Sequence, residues 1–421
     1  MKSTRAEIRN ALILNSYASV TGGATRVAID EARALADRDI RVKFFAAVGP
    51  VSPELRHENI EVICLLQQDL IHSTTPLRSA FTAAWNLSGY RKIKQAISEC
   101  RLDDTIVHVH GFSHGLSVSP IMCAIQRGFS PVHTLHDYFS VCPNGSFFDY
   151  NAERTCELTP LSVRCLSTNC DRRNYGHKLY RVSRTGLQRA LRIFGKGIRH
   201  FIAPSPKALA LAQRHLPKSI RAFVLENPCS IVMDAPANVT DNVKFVFIGR
   251  LDELKGVKFL LESLSEKLPE VLFIGDGPLR EAVRSAPNCS TVGWVDRESV
   301  LKHLRSSRCL IFPSLCPETF GLSVIDAAAL GVPAIVTEIS GASDFVIDHN
   351  TGWIVPPHDV AHLRRCLISA SDAKISASFG RNAYDRYWQS PFTLQSHTDR
   401  LLEIYSHVIS DQLRSSTHCP V

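Results

Sequence analysis

Two carboxylates stand eight positions apart in the run Glu318-Thr319-Phe320-Gly321-Leu322-Ser323-Val324-Ile325-Asp326. A glycine lies near the first, and a helical pattern opens between them and runs into Ala327-Ala328-Ala329-Leu330. Eight residues are a little over two helical turns, so an acid at each end can address opposite ends of one elongated ligand. The free amides of a helix N-terminus lie between the two and suit a diphosphate. A nucleotide sugar has that layout: hexose, diphosphate, ribose. Upstream, Gly249-Arg250-Leu251-Asp252-Glu253-Leu254-Lys255-Gly256 sets Arg250 and Lys255 five apart around a turn. Two cations there can hold both phosphates of a diphosphate leaving group, the arginine in bidentate fashion. The plainer alternatives are a solvated acid at a helix start and a surface contact between Glu253 and Lys255.

Together these stretches resemble family 4 of the glycosyltransferases of the GT-B fold, whose paired-acid signature reads Glu, seven residues, Glu. Here Asp326 fills the second position, with the same charge and one methylene less reach. The resemblance implies that Arg250 and Lys255 take the diphosphate. It implies that Glu318 binds hydroxyls of the transferred sugar or stabilises the positive charge developing on it. The backbone around Phe320, Gly321 and Leu322 would face sugar and phosphate, and Asp326 the ribose hydroxyls, directly or through a water.

Other family turns follow. His136-Asp137 ends an apolar run; in the family a histidine here reaches the donor sugar from the first domain, and Asp137 would orient it or touch the acceptor. A histidine satisfied by a backbone carbonyl is the alternative. His110-Gly111 ends the preceding run and would line the acceptor side. Gly22-Gly23 resembles the first-domain glycine loop that approaches the phosphates, although a lone Gly-Gly is a weak motif. Gly249 and Asp276, in Gly275-Asp276-Gly277-Pro278, would sit beside the nucleotide; a tight turn explains the latter equally well. Trp294 would frame the base or simply pack. No Asp-x-Asp ends a strand, and the resemblance implies that no catalytic metal is needed for the diphosphate, since Arg250, Lys255 and a helix N-terminus can supply the positive potential instead. No cofactor is expected for catalysis.

Four of the thirteen cysteines cluster: Cys142, Cys156, Cys165 and Cys170. Four thiolates can hold a structural zinc tetrahedrally, and unlinked thiols are the alternative, since no tight Cys-x-x-Cys pair is present. Disulfides are disfavoured in a reducing compartment. The formal charge of +8 is concentrated as well: residues 171–200 hold nine Lys or Arg against Asp171 alone, leaving the remainder neutral. Within 172–199, Leu179, Val182, Leu187, Leu191, Ile193, Phe194 and Ile198 alternate with the cations. A basic amphipathic helix of this kind can lie on an anionic membrane; a buried stripe with a solvated basic face is the alternative. No nucleic-acid reader motif accompanies the charge, which argues against that partner.

These residues need a scaffold that brings strand ends together. A chain of 421 residues exceeds what one core supports, so two domains are expected. Strands are expected at Ala11–Asn15, Val42–Ala47, Ile106–Val109, Val132–Leu135, Phe201–Ala203 and Val224–Leu225. After a polar stretch at 231–242 a second series follows: Phe245–Ile248, Val271–Ile274, Thr291–Val292, Cys309–Phe312, Ala334–Val336 and Gly352–Val355. Strands alternating with helices predict an α/β fold of two doubly wound, Rossmann-like domains facing across a cleft. The expected divisions are 1–232 on the acceptor side and 233–385 on the nucleotide-sugar side. A last helix within 386–421 is expected to pack back on the first. Ligands bind at the carboxyl ends of such sheets, and the candidate residues follow predicted strands. No apolar run reaches the ~18–20 residues of a membrane span, and Ala11-Leu12-Ile13-Leu14 reads as a strand rather than a leader. The expected place is the cytoplasm, or its membrane face.

The resemblance implies transfer, with retention, of a hexose-type sugar from a nucleotide-diphosphate sugar to a hydroxyl. The acceptor would be lipid-linked or a saccharide, in surface polysaccharide or glycolipid synthesis. Rival readings are a nucleotide-sugar-binding protein without turnover, and a GT-B epimerase or phosphorylase.

Overall fold

The computed structural model describes residues 8–68 and 81–416, with the side chains of 415 and 416 left aside. The expected last helix therefore runs past the described residues at 417–421.

The first sheet has seven parallel strands: β1 (Asn10–Tyr17), β2 (Arg41–Val48), β3 (Ile60–Cys64), β4 (Thr105–Val109), β5 (Val132–Thr134), β8 (His200–Ala203) and β9 (Arg221–Val224). They lie in the order β3-β2-β1-β4-β5-β8-β9. Both faces are covered, which is why β1 reads as a continuous apolar run. Successive side chains point to opposite faces: Leu12 and Leu14 enter one core, Ala11 and Ile13 the other.

The second sheet has six parallel strands: β10 (Phe245–Ile248), β11 (Val271–Ile274), β12 (Cys289–Gly293), β13 (Cys309–Phe312), β14 (Ala334–Thr337) and β15 (Gly352–Val355). Their order is β12-β11-β10-β13-β14-β15. Phe245 and Phe247 face one core, and Val246 the opposite one. In each sheet the strand order reverses beside the first strand, β1 and β10. Crevices for ligands open at such switch points.

The last helix, Leu394–Ser416, packs on the first sheet's helix Gly23–Ala36. Leu401, Ile404, Tyr405, Val408 and Ile409 are all buried in that core. The spacing keeps them on one face of a 3.6-residue repeat, and each buried side chain contributes roughly 1.5–3 kcal/mol.

The cysteine-bearing segment reaches across the cleft. It carries a small antiparallel hairpin, β6 (Phe148–Asp149) and β7 (Arg154–Thr155). Phe148 is buried in the second sheet's core. Thr155 Oγ1 donates to Leu315 O at 3.3 Å, and Lys258 pairs with Glu153 at 2.8 Å.

The basic segment differs from the sequence expectation. Its helix spans Tyr175–Ala190 and buries polar residues, Lys178, Arg184, Thr185 and Gln188, while Leu179 is exposed. The apolar stripe fails because the cations have specific inward partners. Lys178 Nζ lies 3.0 Å from Cys170 Sγ and 3.5 Å from Cys165 Sγ; Arg184 donates to Ser113 O at 2.9 Å and stands over the Phe139 ring. Ile193 and Ile198, beyond the helix end, complete the first sheet's core. Among the described residues, no helix is long and apolar enough to cross a membrane.

Candidate active site

Two helix N-termini meet where the halves face each other. Helix Gly23–Ala36 starts after Gly22, and helix Leu322–Leu330 starts after Gly321; neither start has a side-chain cap. Elsewhere Asn86, Ser162, Asn174, Ser205, Asp296, Asp359 and Asp372 cap their helices, while Ser119–Gln126, Val257–Ser263 and Arg280–Ser285 also start without a side-chain cap. The cleft starts therefore leave amide donors for a ligand. The approach is close: a Cβ on Gly23 would come within 2.8 Å of Leu322 Cδ1. Gly321 is in the left-handed region, with φ of 112°, which suits a residue without Cβ.

Glu318 follows β13 in the loop that leads into this helix. Its Oε1 accepts from Lys255 Nζ in a short ion pair and from Ser314 Oγ at 2.9 Å. Burial works against the charge of Lys255, but Glu318 and the other acidic groups around it more than offset this and raise its affinity for the proton. The Glu318 loop also touches the opposite half: Thr319 Oγ1 donates to His136 O at 3.2 Å. Arg250 follows β10, is largely exposed, and pairs with Asp252 at 3.2 Å. The structure thus brings Glu318, Lys255, Leu322, Gly23 and His136 together at the strand ends of both sheets.

His136 belongs to a buried chain that the sequence reading missed. His136 Nε2 lies 2.9 Å from His110 Nδ1, and His110 Nε2 lies 3.3 Å from Glu31 Oε2. Glu31 is fully buried and also meets His108 at 3.3 Å and His397 at 3.0 Å. His397 Nδ1 faces Glu226 O at 2.7 Å. Both ring nitrogens of His397 are thus within hydrogen-bond reach of oxygen atoms. Burial raises Glu31, but His110 and His108 pull it well below the carboxylate range. Burial, then His110, pushes His136 well below the usual imidazole range. Burial likewise lowers His108 to about 4, and His133 to about 3. The available signal was Glu31 itself, an acid on the apolar face shared by Ala28, Ala32 and Leu35.

The remaining predicted residues are dispersed. Asp137 Oδ1 accepts from Phe139 N at 3.0 Å, and burial pushes its carboxyl up to about 6. Asp276 pairs with Arg280 at 2.9 Å on the surface, and Gly249 lies beside the same turn through Gly249 N and Ile274 O. Trp294 follows the edge strand β12 and is 79% exposed. The Phe320 side chain is buried against Phe345 and Phe392, so it serves packing and leaves only its backbone to the cleft. Asp326 is buried on the second turn of its helix. Arg297 Nη1 and Nη2 take both its oxygens at 2.5 and 2.6 Å, and Cys229 Sγ lies 3.5 Å away. Arg297 was also missed; it begins the helix three residues after Trp294.

Of the four clustered cysteines, Cys170 and Cys165 meet Lys178 Nζ, at 3.0 and 3.5 Å. Among the described residues, the metal-type group whose ligand atoms converge is Glu31, His108 and His110; the cysteines do not form such a group. Burial pushes the Cys142 thiol up to about 11. An ammonium lies against two of the four sulfurs, and no step is routed through a metal.

Known proteins share this architecture. Residues 21–229 match the family described as Glycosyltransferase Family 4, and residues 242–372 match Glycosyl transferases group 1. D-rhamnosyltransferase WbpZ of Pseudomonas aeruginosa is 33% identical over 154 residues, 34% of this chain and 40% of that protein. The match thus spans less than half the relative's length. Sucrose-phosphate synthase from Thermosynechococcus elongatus superposes with a TM-score of 0.70 at 17% identity, covering 96% of this chain and 100% of the other. Anabaena HepE, in complex with UDP-glucose, gives 0.63 at 16% identity over 96% and 99%. At these identities the structural likeness speaks to the fold, two parallel sheets facing across a cleft. With both halves matched in sequence, the chain belongs to the family 4, group 1 glycosyltransferases of the GT-B fold.

Proposed function

We propose that this protein transfers a sugar from a nucleoside-diphosphate sugar to a hydroxyl, with retention at the anomeric carbon. The observation that carries the reading is the Glu318–Lys255 pair beside two uncapped helix starts, with His136 opposite. Lys255, Arg250 and the free amides would neutralise the departing diphosphate. Stabilising charge as it develops is the largest lever such a site has. Glu318 would face the sugar, where its negative charge offsets the positive charge growing at the anomeric carbon. His136, neutral at physiological pH, would hydrogen-bond a sugar hydroxyl rather than repel a cationic centre. In the family picture the acceptor enters on the face the diphosphate leaves, and a phosphate oxygen takes its proton.

The reading places the acceptor side on 1–232 with the last helix, and the donor side on 233–385. Support for a nucleotide-sugar donor comes from HepE, whose solved complex holds UDP-glucose. A lipid-linked or saccharide acceptor, and a place in surface polysaccharide or glycolipid synthesis at the cytoplasmic membrane face, rest on family analogy.

The test is thermal unfolding with UDP, GDP, ADP and TDP, beside Lys255→Ala and Arg250→Ala. A ligand at about 100 times its Kd adds about 2.7 kcal/mol. A shift with one base, reduced in the variants, identifies the donor series for transfer assays; no shift with any base counts against the donor site. One observation favours a second reading, binding without turnover: Arg297 occupies Asp326. Under that reading nucleotide would bind with no sugar released to any acceptor, and Asp326→Glu would restore turnover.

A further inference from the structure

A cavity of roughly 820 Å³ opens in the first half, away from the Glu318 loop. Its walls come from the end of the Tyr175–Ala190 helix, the turn before β8, and the segment after helix Pro206–Gln213. Arg189, Arg192, Lys196, Arg199 and Arg214 line it, and none of its lining residues is acidic. Among the described residues, Arg192, Lys196 and Arg214 have no ion-pair partner. Arg189 donates only to a carbonyl, Pro160 O, at 3.3 Å. Burial, then Arg214 and Arg189, lowers the affinity of His215 for a proton.

The floor is polar and unsatisfied. Gln188 is 2% exposed and Ser140 7%, and both line the cavity. Neither the amide oxygen and nitrogen of Gln188 nor Ser140 Oγ has a hydrogen-bond partner. Buried polar groups without partners cost about 1–3 kcal/mol each, a cost that a ligand meeting them removes. The size falls within that of small-molecule sites, about 300–1,000 Å³.

We propose that this cavity binds a phosphate-bearing anion, its phosphate held by the arginine and lysine rim and a polar group seated on Gln188 and Ser140. Arginine at the rim suits phosphate through paired N–H donors. The proposal does not depend on the donor-site reading. The phosphate could come from a soluble phosphoester or from a lipid headgroup, and the experiment separates these.

Pyrophosphate is titrated calorimetrically into the full chain carrying Arg250→Ala, which weakens any binding at the Glu318 side. Binding is expected to persist there, and to fall at least about tenfold when Arg192→Gln and Arg214→Gln are added. The charge-matched pair Arg284→Gln and Lys302→Gln, on the other half, should leave it unchanged. All four side chains are at the surface, and unfolding midpoints verify the fold; Gln188→Ala gives a second route if the double variant is unstable. Co-sedimentation with phosphatidylcholine vesicles, with and without phosphatidic acid, assigns the source. Capture by the phosphatidic acid vesicles, reversed by pyrophosphate and lost in the Arg192/Arg214 variant, points to a headgroup. Pyrophosphate binding without capture points to a soluble ligand. No binding in either arm, or equal loss in the charge-matched pair, overturns the proposal.

Discussion

Arg297 grips Asp326 with two N–H donors at 2.5 and 2.6 Å, at a point where the carboxylate is almost wholly buried. A paired-acid signature leads one to expect a free acid; here the second acid is a structural partner. Asp326→Asn should lower unfolding stability without any ligand present, by about 1.5–3 kcal/mol, the range for hydrogen bonds to charged groups. Half-exposure of Arg297 puts the change toward the lower end. Chemical denaturation of the free protein measures it. No loss would mean that the pair does little for the fold and that Asp326 is free to serve a ligand.

Glu318 and Lys255 should separate binding from chemistry. Glu318→Gln keeps Lys255 and the helix amides, so nucleoside diphosphate affinity should stay within a few-fold while transfer drops. Losing one group that stabilises developing charge costs roughly 10²–10³ in rate. Lys255→Ala should weaken both, since it also leaves Glu318 without its cation. Equilibrium titration and nucleoside diphosphate release, run on both variants, decide; equal loss of affinity in both would remove Glu318 from the chemical step.

Much of this architecture was legible from strand ends. β1, β10, β11 and β13 are apolar runs followed by glycine, proline or polar residues, and both faces of a parallel sheet demand such runs. β3 was missed because Ile60-Glu61-Val62-Ile63-Cys64 is a short edge strand, mostly half-buried and interrupted by Glu61, with neither a clean alternation nor a fully apolar run. The β6–β7 hairpin was missed because two-residue strands have no period to read. Local motifs found Glu318 and Lys255, which stand on turns of characteristic composition. The partners Arg297 and Glu31 meet their targets only through the fold, across 29 residues for Asp326 and 366 for His397. The inward face of the Tyr175–Ala190 helix was misjudged because lysine and arginine in a sequence announce solvent, not a pocket of thiols or a carbonyl.

Glu31 should be a stability hub. It is fully buried, with His108, His110 and His397 around it. Glu31→Ala leaves these rings without their carboxylate, and breaking a buried charged pair costs about 3–5 kcal/mol. Because His397 lies on the last helix, that helix should loosen first. Hydrogen exchange of 394–416 should accelerate more than that of the second sheet; uniform acceleration would show that the hub does not tether the helix specifically.

Acid should destabilise the protein through its buried histidines. His108 and His133 are lowered from 6.5 to about 4 and about 3, by burial first. In the unfolded chain they take up protons below about pH 6.5; in the fold they do not until pH 4 or below. Their contribution is therefore complete above pH 6.5 and is lost as pH falls through 4. Asp137, raised by burial to about 6, works in the opposite sense: its contribution is present below about pH 4 and is lost as pH rises through 6. Two histidines outweigh one carboxyl, so denaturation free energy should decline from pH 7 to pH 4.5. His133 offers a clean test, because Phe112, Phe194 and Phe201 pack around its ring. His133→Phe forfeits the hydrogen bond to Val109 O, worth about 1 kcal/mol at neutral pH. In exchange it should flatten the acid slope, since one proton-binding group vanishes from the unfolded state. Urea titrations at both pH values compare the slopes; an unchanged slope in the variant would place the acid sensitivity elsewhere, with His108 and the Glu31 cluster the next groups to alter.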